Sequence, residues 1–285
     1  MKRILCLSEC CLDVVFAGLP GLPAGGEEVW CSDFAFRAGG GENTAIMLAG
    51  QGVPVRFLTA YAADLSGSLI EKALLSAGIT PVLPEKRPLQ TAVSAVLGTE
   101  KDRSFASFAG DGARFDRTQI VRELGQADIL HSFFGYAADL DLFTLCQESG
   151  TLLSLDFSWN DAERSGDISL LSACDLVKMN EDEARRFTGC SSAEDTLILL
   201  ASLVRKAAVI TLGEGGSIGM RHGEEKILRQ PALKPEVFRD SCGAGDAFAA
   251  GLLTALALNE SLENGLSRGA ALAAYALSLT GGNGA

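Results

Sequence analysis

Histidine is almost missing: His131 and His222, far apart in the chain, are the whole complement. Two imidazoles so separated give no basis for a His-rich metal centre, and each suits a strand or turn position. Lysine and arginine are also short, 24 against 36 aspartates and glutamates, for a net charge of −12, and they form no run. That balance argues against a nucleic-acid partner and leaves room only for a small anion in a local pocket. The eight cysteines include no Cys-x-x-Cys, the nearest spacing being Cys6-x3-Cys10-Cys11. Reduced, half-buried thiols of a cytoplasmic protein are the expectation. No uncharged stretch reads as a membrane span: Ala247 to Asn259 is too short, and the Gly269 to Ala285 tail carries Tyr275, Ser278, Thr280 and glycines. Lys2-Arg3 before Ile4 to Leu7 hints at a signal peptide, but Glu9 ends the apolar run far too early. There is no G-x-x-x-x-G-K-[ST] loop, no G-x-G-x-x-G fingerprint, no repeat and no low-complexity tract.

What the chain holds instead is glycine, 32 residues against 8 prolines, in a 285-residue sequence that is 47% hydrophobic. This is one large or two unequal globular domains with a sizeable core. Strand patterns at Lys2 to Leu7, Arg56 to Ala62, Ile129 to Phe134, Leu152 to Phe157, Leu176 to Met179 and Ala208 to Leu212 alternate with helical ones. The alternation predicts an α/β body with a mostly parallel sheet covered on both faces, and ligands beyond the carboxyl ends of its strands. Val14 to Phe36 is broken by Gly and Pro, and Thr91 to Leu97 with Arg103 to Phe108 reads as a hairpin. Ser217 to Met220 and Lys226 to Arg229 read as another. The expected division is a body of residues 1–12, 37–88 and 111–285 and a small β lid of residues 13–36 and 89–110.

Four glycine- or acid-marked turns carry chemistry. In Asp240-Ser241-Cys242-Gly243-Ala244-Gly245-Asp246, two glycines flank an alanine where a loop becomes a helix, so bare amides and the helix dipole can meet an anion beside the Asp246 carboxylate. An anion hole beside a base suits phosphoryl transfer to an alcohol, although Asp246 equally reads as a helix cap. Gly39, Gly40 and Gly41 before Asn43 allow close approach to a polyol, and Asp13 past the first strand can accept two hydroxyl protons. The plainer readings are a glycine turn capped by Asn43 and a solvated loop acid. Asn180 and Glu183, at i and i+3, share a helix face and could serve a phosphate and hydrated magnesium, or form a capping box. Thr211, Gly213 and Gly216 suit a turn along a nucleotide or an ordinary glycine turn. Gly215-Gly216-Ser217-Ile218-Gly219 formally matches a G-x-S-x-G elbow, but an elbow should open a helix and this stretch reads as a strand. Trp30 and Trp159 read as packing groups, with Trp30 placed to cover a ligand in the lid.

In this order and spacing the four motifs resemble those of ribokinase-like, PfkB-type carbohydrate kinases, over essentially the whole chain. The resemblance implies a three-layer α/β/α sandwich with a β lid, and transfer of the γ-phosphoryl group of ATP to a primary hydroxyl. It implies Asp246 as base, Gly243, Ala244 and Gly245 as anion hole, and Asp13, Gly39, Gly40 and Asn43 as sugar ligands. Asn180, Thr211, Gly213 and Gly216 would serve ATP, and Glu183 would hold Mg2+ through water. The carbonyls of Asp240 and Cys242 stand where some members hold a monovalent cation such as K+. Ala38 replaces the first glycine of the N-terminal motif, Ser241-Cys242 stands where two threonines are common, and the end at Gly284-Ala285 implies an incomplete cation site. No Lys enters Gly40-Gly41-Glu42, which implies an unphosphorylated acceptor. Leu155-Asp156-Phe157-Ser158 and the short length look most like the fructoselysine 6-kinase branch. The expected acceptor is therefore a ketose or ketosamine such as fructose or fructoselysine. The alternatives are a nucleoside kinase of the same fold and a non-catalytic sugar-binding regulatory relative. Exposed lid strands lead to the expectation of a homodimer through the lid.

Overall fold

Runs of four or five residues with few polar side chains make most strands of the larger sheet, as burial on both faces demands. The structure, a computed structural model, describes residues 1–99, 103–112, 114–158, 160–239 and 241–281. In chain order its elements are β1 (Ile4–Leu7), β2 (Cys10–Leu19), β3 (Asp33–Gly40), α1 (Glu42–Gly50), β4 (Val55–Leu58), α2 (Leu65–Ser76), β5 (Pro81–Val82), β6 (Ala92–Thr99) and β7 (Arg103–Phe108). There follow α3 (Arg117–Leu124), β8 (Ile129–Phe133), α4 (Phe134–Asp139), α5 (Leu142–Ser149), β9 (Leu152–Asp156), β10 (Leu176–Asn180), α6 (Glu181–Thr188) and α7 (Ala193–Leu203). The last are β11 (Ala207–Thr211), β12 (Ser217–Arg221), β13 (Leu228–Gln230), α8 (Ala244–Leu258) and α9 (Leu262–Ala276).

The nine-stranded sheet runs β13-β12-β11-β10-β9-β8-β1-β4-β5, parallel except for the β11-β12-β13 end. Alternation along each strand splits the core in two. Leu5, Leu7, Leu130, Leu153, Leu155, Val177 and Ile210 pack under α3 to α7. Their neighbours Ile4, Cys6, Ile129, Leu176 and Val209 pack on the other face, under α1, α2, α8 and α9. Three layers follow, helices on both faces of one sheet. The α/β/α expectation is met.

A second sheet, β3-β2-β6-β7, stands apart from the first. Its strands reach further into the chain than the sequence pattern suggested, β2 beginning at Cys10 and β3 ending at Gly40, one residue before the turn into α1. Asp13, Arg37, Ser94 and Ser107 lie in register across it, so all four share a face. Two further readings are corrected. The segment Arg56 to Ala62 leaves the sheet after Leu58, because Ala62 donates its amide to Thr91 Oγ1 instead of to a neighbouring strand. Phe134 ends no strand: it starts α4, and its ring packs against Phe143, Phe157 and Phe187. Trp30 is 79% exposed, so it is not a packing group, and Trp159 lies outside the described residues.

Candidate active site

Two helix N-termini converge at the carboxyl end of the large sheet. Gly243 turns the chain into α8 with φ 71°, a left-handed conformation that favours glycine, and no side chain caps the helix start. The first-turn amides of Ala244 and Gly245 therefore have no intrahelical acceptor and face the dipole's positive end outward. Asp246 does not act as the cap: its Oδ2 accepts a hydrogen bond from Asn43 Nδ2 at 3.0 Å, and its carbonyl accepts one from Thr44 Oγ1 at 3.4 Å. The first turns of α1 and α8 are thus tied together through the acid.

The glycines before Asn43 are dictated by contact. A Cβ on Gly39 would fall 2.2 Å from Asp13 Oδ2, and one on Gly41 would fall 1.9 Å from Ser8 Oγ. Asp13, only 8% exposed, lies in the middle of β2 with its carboxylate against the Gly39 backbone, so it is not a solvated loop acid. Gly39, Gly40, Asn43 and Asp13 come together, with Asp246 one hydrogen bond away. Glu42, in the same turn, is fully buried, and neither of its oxygens has a hydrogen-bond partner. Burial lifts its pKa well above the ordinary glutamate value, and the Asp13 and Asp246 charges add to the rise.

On the other side, Asn180 ends β10 level with Thr211 of β11. Asn180 Oδ1 accepts from the Glu183 amide and Glu183 Oε2 from the Asn180 amide, both at 2.8 Å, so the capping box is real. It does not consume Asn180, which stays exposed at the strand end. Burial pushes Glu183 up to about 7, with the charge of Asp156 adding to it and Lys178 opposing. Gly213 is exposed with open space around it, whereas a Cβ on Gly216 would sit 2.1 Å from the Gln230 carbonyl oxygen. Packing alone therefore explains Gly216. Cys242 is buried beside the turn, and Asp240 lies outside the described residues.

Three charged residues at the centre were given no role at the site by the sequence, although Asp156 lies in the stretch Leu155-Asp156-Phe157-Ser158. Lys178 Nζ, on β10, donates to Asp156 Oδ2 at 2.6 Å and to the Gly245 carbonyl at 3.2 Å. Arg103 of the second sheet donates from Nη1 to Ser241 Oγ at 2.7 Å. Burial pushes Asp246 up to about 6; the Asp156 charge adds to the rise, while Lys178, the Asn43 hydrogen bond and Arg103 oppose it. A carboxyl near 6 is ionised at neutral pH yet basic enough to take a proton. One charge of each sign inside neighbouring apolar strands was the signal for Lys178 and Asp156.

The nucleophile elbow is not built. Ser217 opens β12 rather than a helix, its Oγ is buried without a partner, and His222 Nδ1 lies against the Ala201 carbonyl at 3.0 Å. No helix of the described residues is long and apolar enough to cross a membrane.

The family model for pfkB family carbohydrate kinases matches residues 1–285. A fructoselysine 6-kinase of Escherichia coli is 27% identical over 255 residues, covering 87% of this chain and 92% of that protein. A ribokinase of Haemophilus influenzae is 24% identical over 275 residues, covering 90% and 86%. A 113-residue stretch is 38% identical to an ATP-dependent 6-phosphofructokinase of Thermoanaerobacterium thermosaccharolyticum, but it spans only 34% of that protein. Among solved structures, the ribokinase of Thermotoga maritima superimposes with a TM-score of 0.80 at 21% identity, over 99% of this chain and 95% of that one. The Arabidopsis thaliana ribokinase complexed with ribose and ATP gives 0.80 at 21%, over 99% and 94%. Motifs, fold and whole-length match agree: the chain belongs to the pfkB family of carbohydrate kinases, and it is a sugar or nucleoside kinase that phosphorylates an alcohol group.

Proposed function

We propose that the chain moves the γ-phosphoryl group of ATP to a primary hydroxyl of a small unphosphorylated sugar, a ketose or ketosamine such as fructose or fructoselysine. The observation that carries the reading is Asp246, held by Asn43 at the open start of α8 and lifted to about 6 by burial. Asn43 engages Oδ2 and leaves Oδ1 to accept the acceptor's hydroxyl proton as the new O–P bond forms. ADP leaves as the bond from the γ-phosphorus to its bridging oxygen breaks, and the amides of Ala244 and Gly245 face the charge that develops on the migrating group. Asp13, Gly39, Gly40 and Asn43 grip the sugar. Asn180, Thr211, Gly213 and Gly216 lie along the nucleotide, Gly216 as backbone only.

Among the described residues no group of three or more His, Cys, Asp or Glu could hold a metal ion. A single carboxylate such as Glu183 fits a hydrated magnesium carried in on the nucleotide, which would supply charge neutralisation at the phosphates. For a monovalent cation the described residues offer the Cys242 carbonyl, so K+ enters as an arm of the assay. All eight cysteines are free, which suits a reducing cytoplasm.

A nucleoside acceptor would want an aromatic clamp for its base. On the lid face that carries Asp13, Phe105 is the one aromatic among the described strand residues, which favours a sugar. The test is an ADP-release screen over ketoses, aldoses, ketosamines, ketodeoxy acids and nucleosides, with magnesium and with or without potassium. On the best acceptor, Asp246→Asn should lower kcat about 10³-fold while calorimetric sugar binding stays within about threefold. A variant that turns over like the wild type removes the assigned base.

A further inference from the structure

The ammonium of Lys178 lies where a parallel sheet ordinarily buries only apolar side chains, and it is 7% exposed. Its two partners explain why it is tolerated. Asp156, 2% exposed, spends Oδ1 on the Phe157 amide at 2.8 Å and gives Oδ2 to the ammonium at 2.6 Å. Its second hydrogen bond goes to the carbonyl of Gly245, the peptide that immediately precedes Asp246. A buried pair of this kind adds little net stability, so its presence under the catalytic turn calls for another reason.

We propose that Lys178 and Asp156 are positioning residues for Asp246: the ammonium anchors the Gly245 peptide from below and brings a positive charge beneath the base, and Asp156 holds it there. The inference rests on the reading of Asp246 as base but concerns residues that reading does not use. Asp246 is faced by Glu42 and Asn43 from α1, Asp156 from β9, Lys178 from β10 and Arg103 from β7. Of these, Lys178 is the one cation rooted in the nine-stranded sheet. Burial alone would draw its proton off, but Asp156 outweighs this and Glu183 adds to it, so its pKa is raised and it stays charged at neutral pH. His131, on the same sheet face, does not compete: burial lowers its pKa to about 4, so it is neutral.

The test follows the Asp246 carboxyl directly by ¹³Cγ NMR of aspartate-labelled protein without any substrate, the resonance being assigned by its loss in Asp246→Asn. Asp156→Asn removes the anion that holds the ammonium and repels the Asp246 charge, and the Asp246 midpoint should fall by about one pH unit. Adding Lys178→Met to Asp156→Asn leaves no unpaired buried charge in the pair, which protects folding. In that double variant the midpoint should rise by about one unit over the Asp156→Asn protein, a tenfold change in ionised carboxylate at a pH below both midpoints. Opposite displacements of this sense support the proposal, since a merely structural pair would not produce them. Midpoints that coincide in the three proteins, or that move the same way, overturn it. Failure of the base itself is read separately, from undiminished ADP release by Asp246→Asn.

Discussion

Glu42 shows at single-residue scale what this site costs the fold. Its carboxyl is buried with no hydrogen-bond partner, between Asp13 and Asp246, and its pKa stands well above the glutamate value of 4.5. The folded protein therefore keeps a proton that the unfolded chain has already released, so stability falls as pH rises from about 4.5 through the folded pKa. Asp246, near 6, and Glu183, near 7, contribute with the same sign. Glu42→Gln removes its share. The variant's Tm should gain on the wild type by roughly 2–4 °C between pH 5 and pH 8, measured by scanning calorimetry. A gap that stays constant over that range would show that Glu42 is not protonated in the native state. Residues such as this were hard to read in advance, for a physical reason. Gly243 announces itself because a left-handed turn demands it locally, and Gly40 does the same for the turn that carries Gly39 and Asn43. Lys178 and Asp156 meet only because β10 and β9 pair with Leu176 opposite Ser154 and Val177 opposite Leu155, a register that no local pattern records.

At the scale of elements, the turn proposed to bind the migrating phosphoryl group is only as well placed as α8, and α8 is placed by its crossing with α9. A Cβ on Gly251 would lie 2.4 Å from the Gly269 nitrogen and 2.5 Å from its Cα, backbone against backbone. Close approach of this kind needs glycine on both sides, and neither wall can rotate away. Gly251→Ala improves helix propensity by about 1 kcal/mol, but overpacking costs about 1–3 kcal/mol and the helices must part. We expect a net loss of stability with a Tm drop of about 4 °C, and a fall in kcat as the amides of Ala244 and Gly245 shift. Gly265→Ala is the control: its Cβ would meet the end of the Leu252 side chain at 3.2 Å, which can move. Equal melting temperatures for the two variants would refute the crossing argument. Helix α8 itself was legible from its uninterrupted apolar run, but its partner glycine is eighteen positions away in a different helix.

For the whole molecule, the alternation of short apolar runs with amphipathic segments made the parallel sheet readable. Its strand order was not, because a crossover helix leaves no mark of which neighbour the next strand will join: β1 sits between β8 and β4. Strand β5, of two residues, is too short to carry a period. The second sheet was readable as strands separated by Gly and Pro, and its two faces follow from its registers. The face opposite Asp13 carries Phe16, Phe34 and Phe36, with ring centroids 5.2 and 5.1 Å apart in edge contact. Phe34 and Phe36 are each 47% exposed, and Phe108, on the same face, is 51% exposed. Aromatic surface of this extent on a sheet whose outer strands β3 and β7 have open edges is what a second lid would cover, by the same reasoning that led to the expected homodimer. Sedimentation velocity should then report a dimer for the wild type and a monomer for Phe34→Ser combined with Phe36→Ser. Because neither ring contributes to the face bearing Asp13 and Arg103, the monomer should keep its affinity for ATP. A wild type that sediments as a monomer at every concentration would leave those rings without a partner and withdraw the dimer.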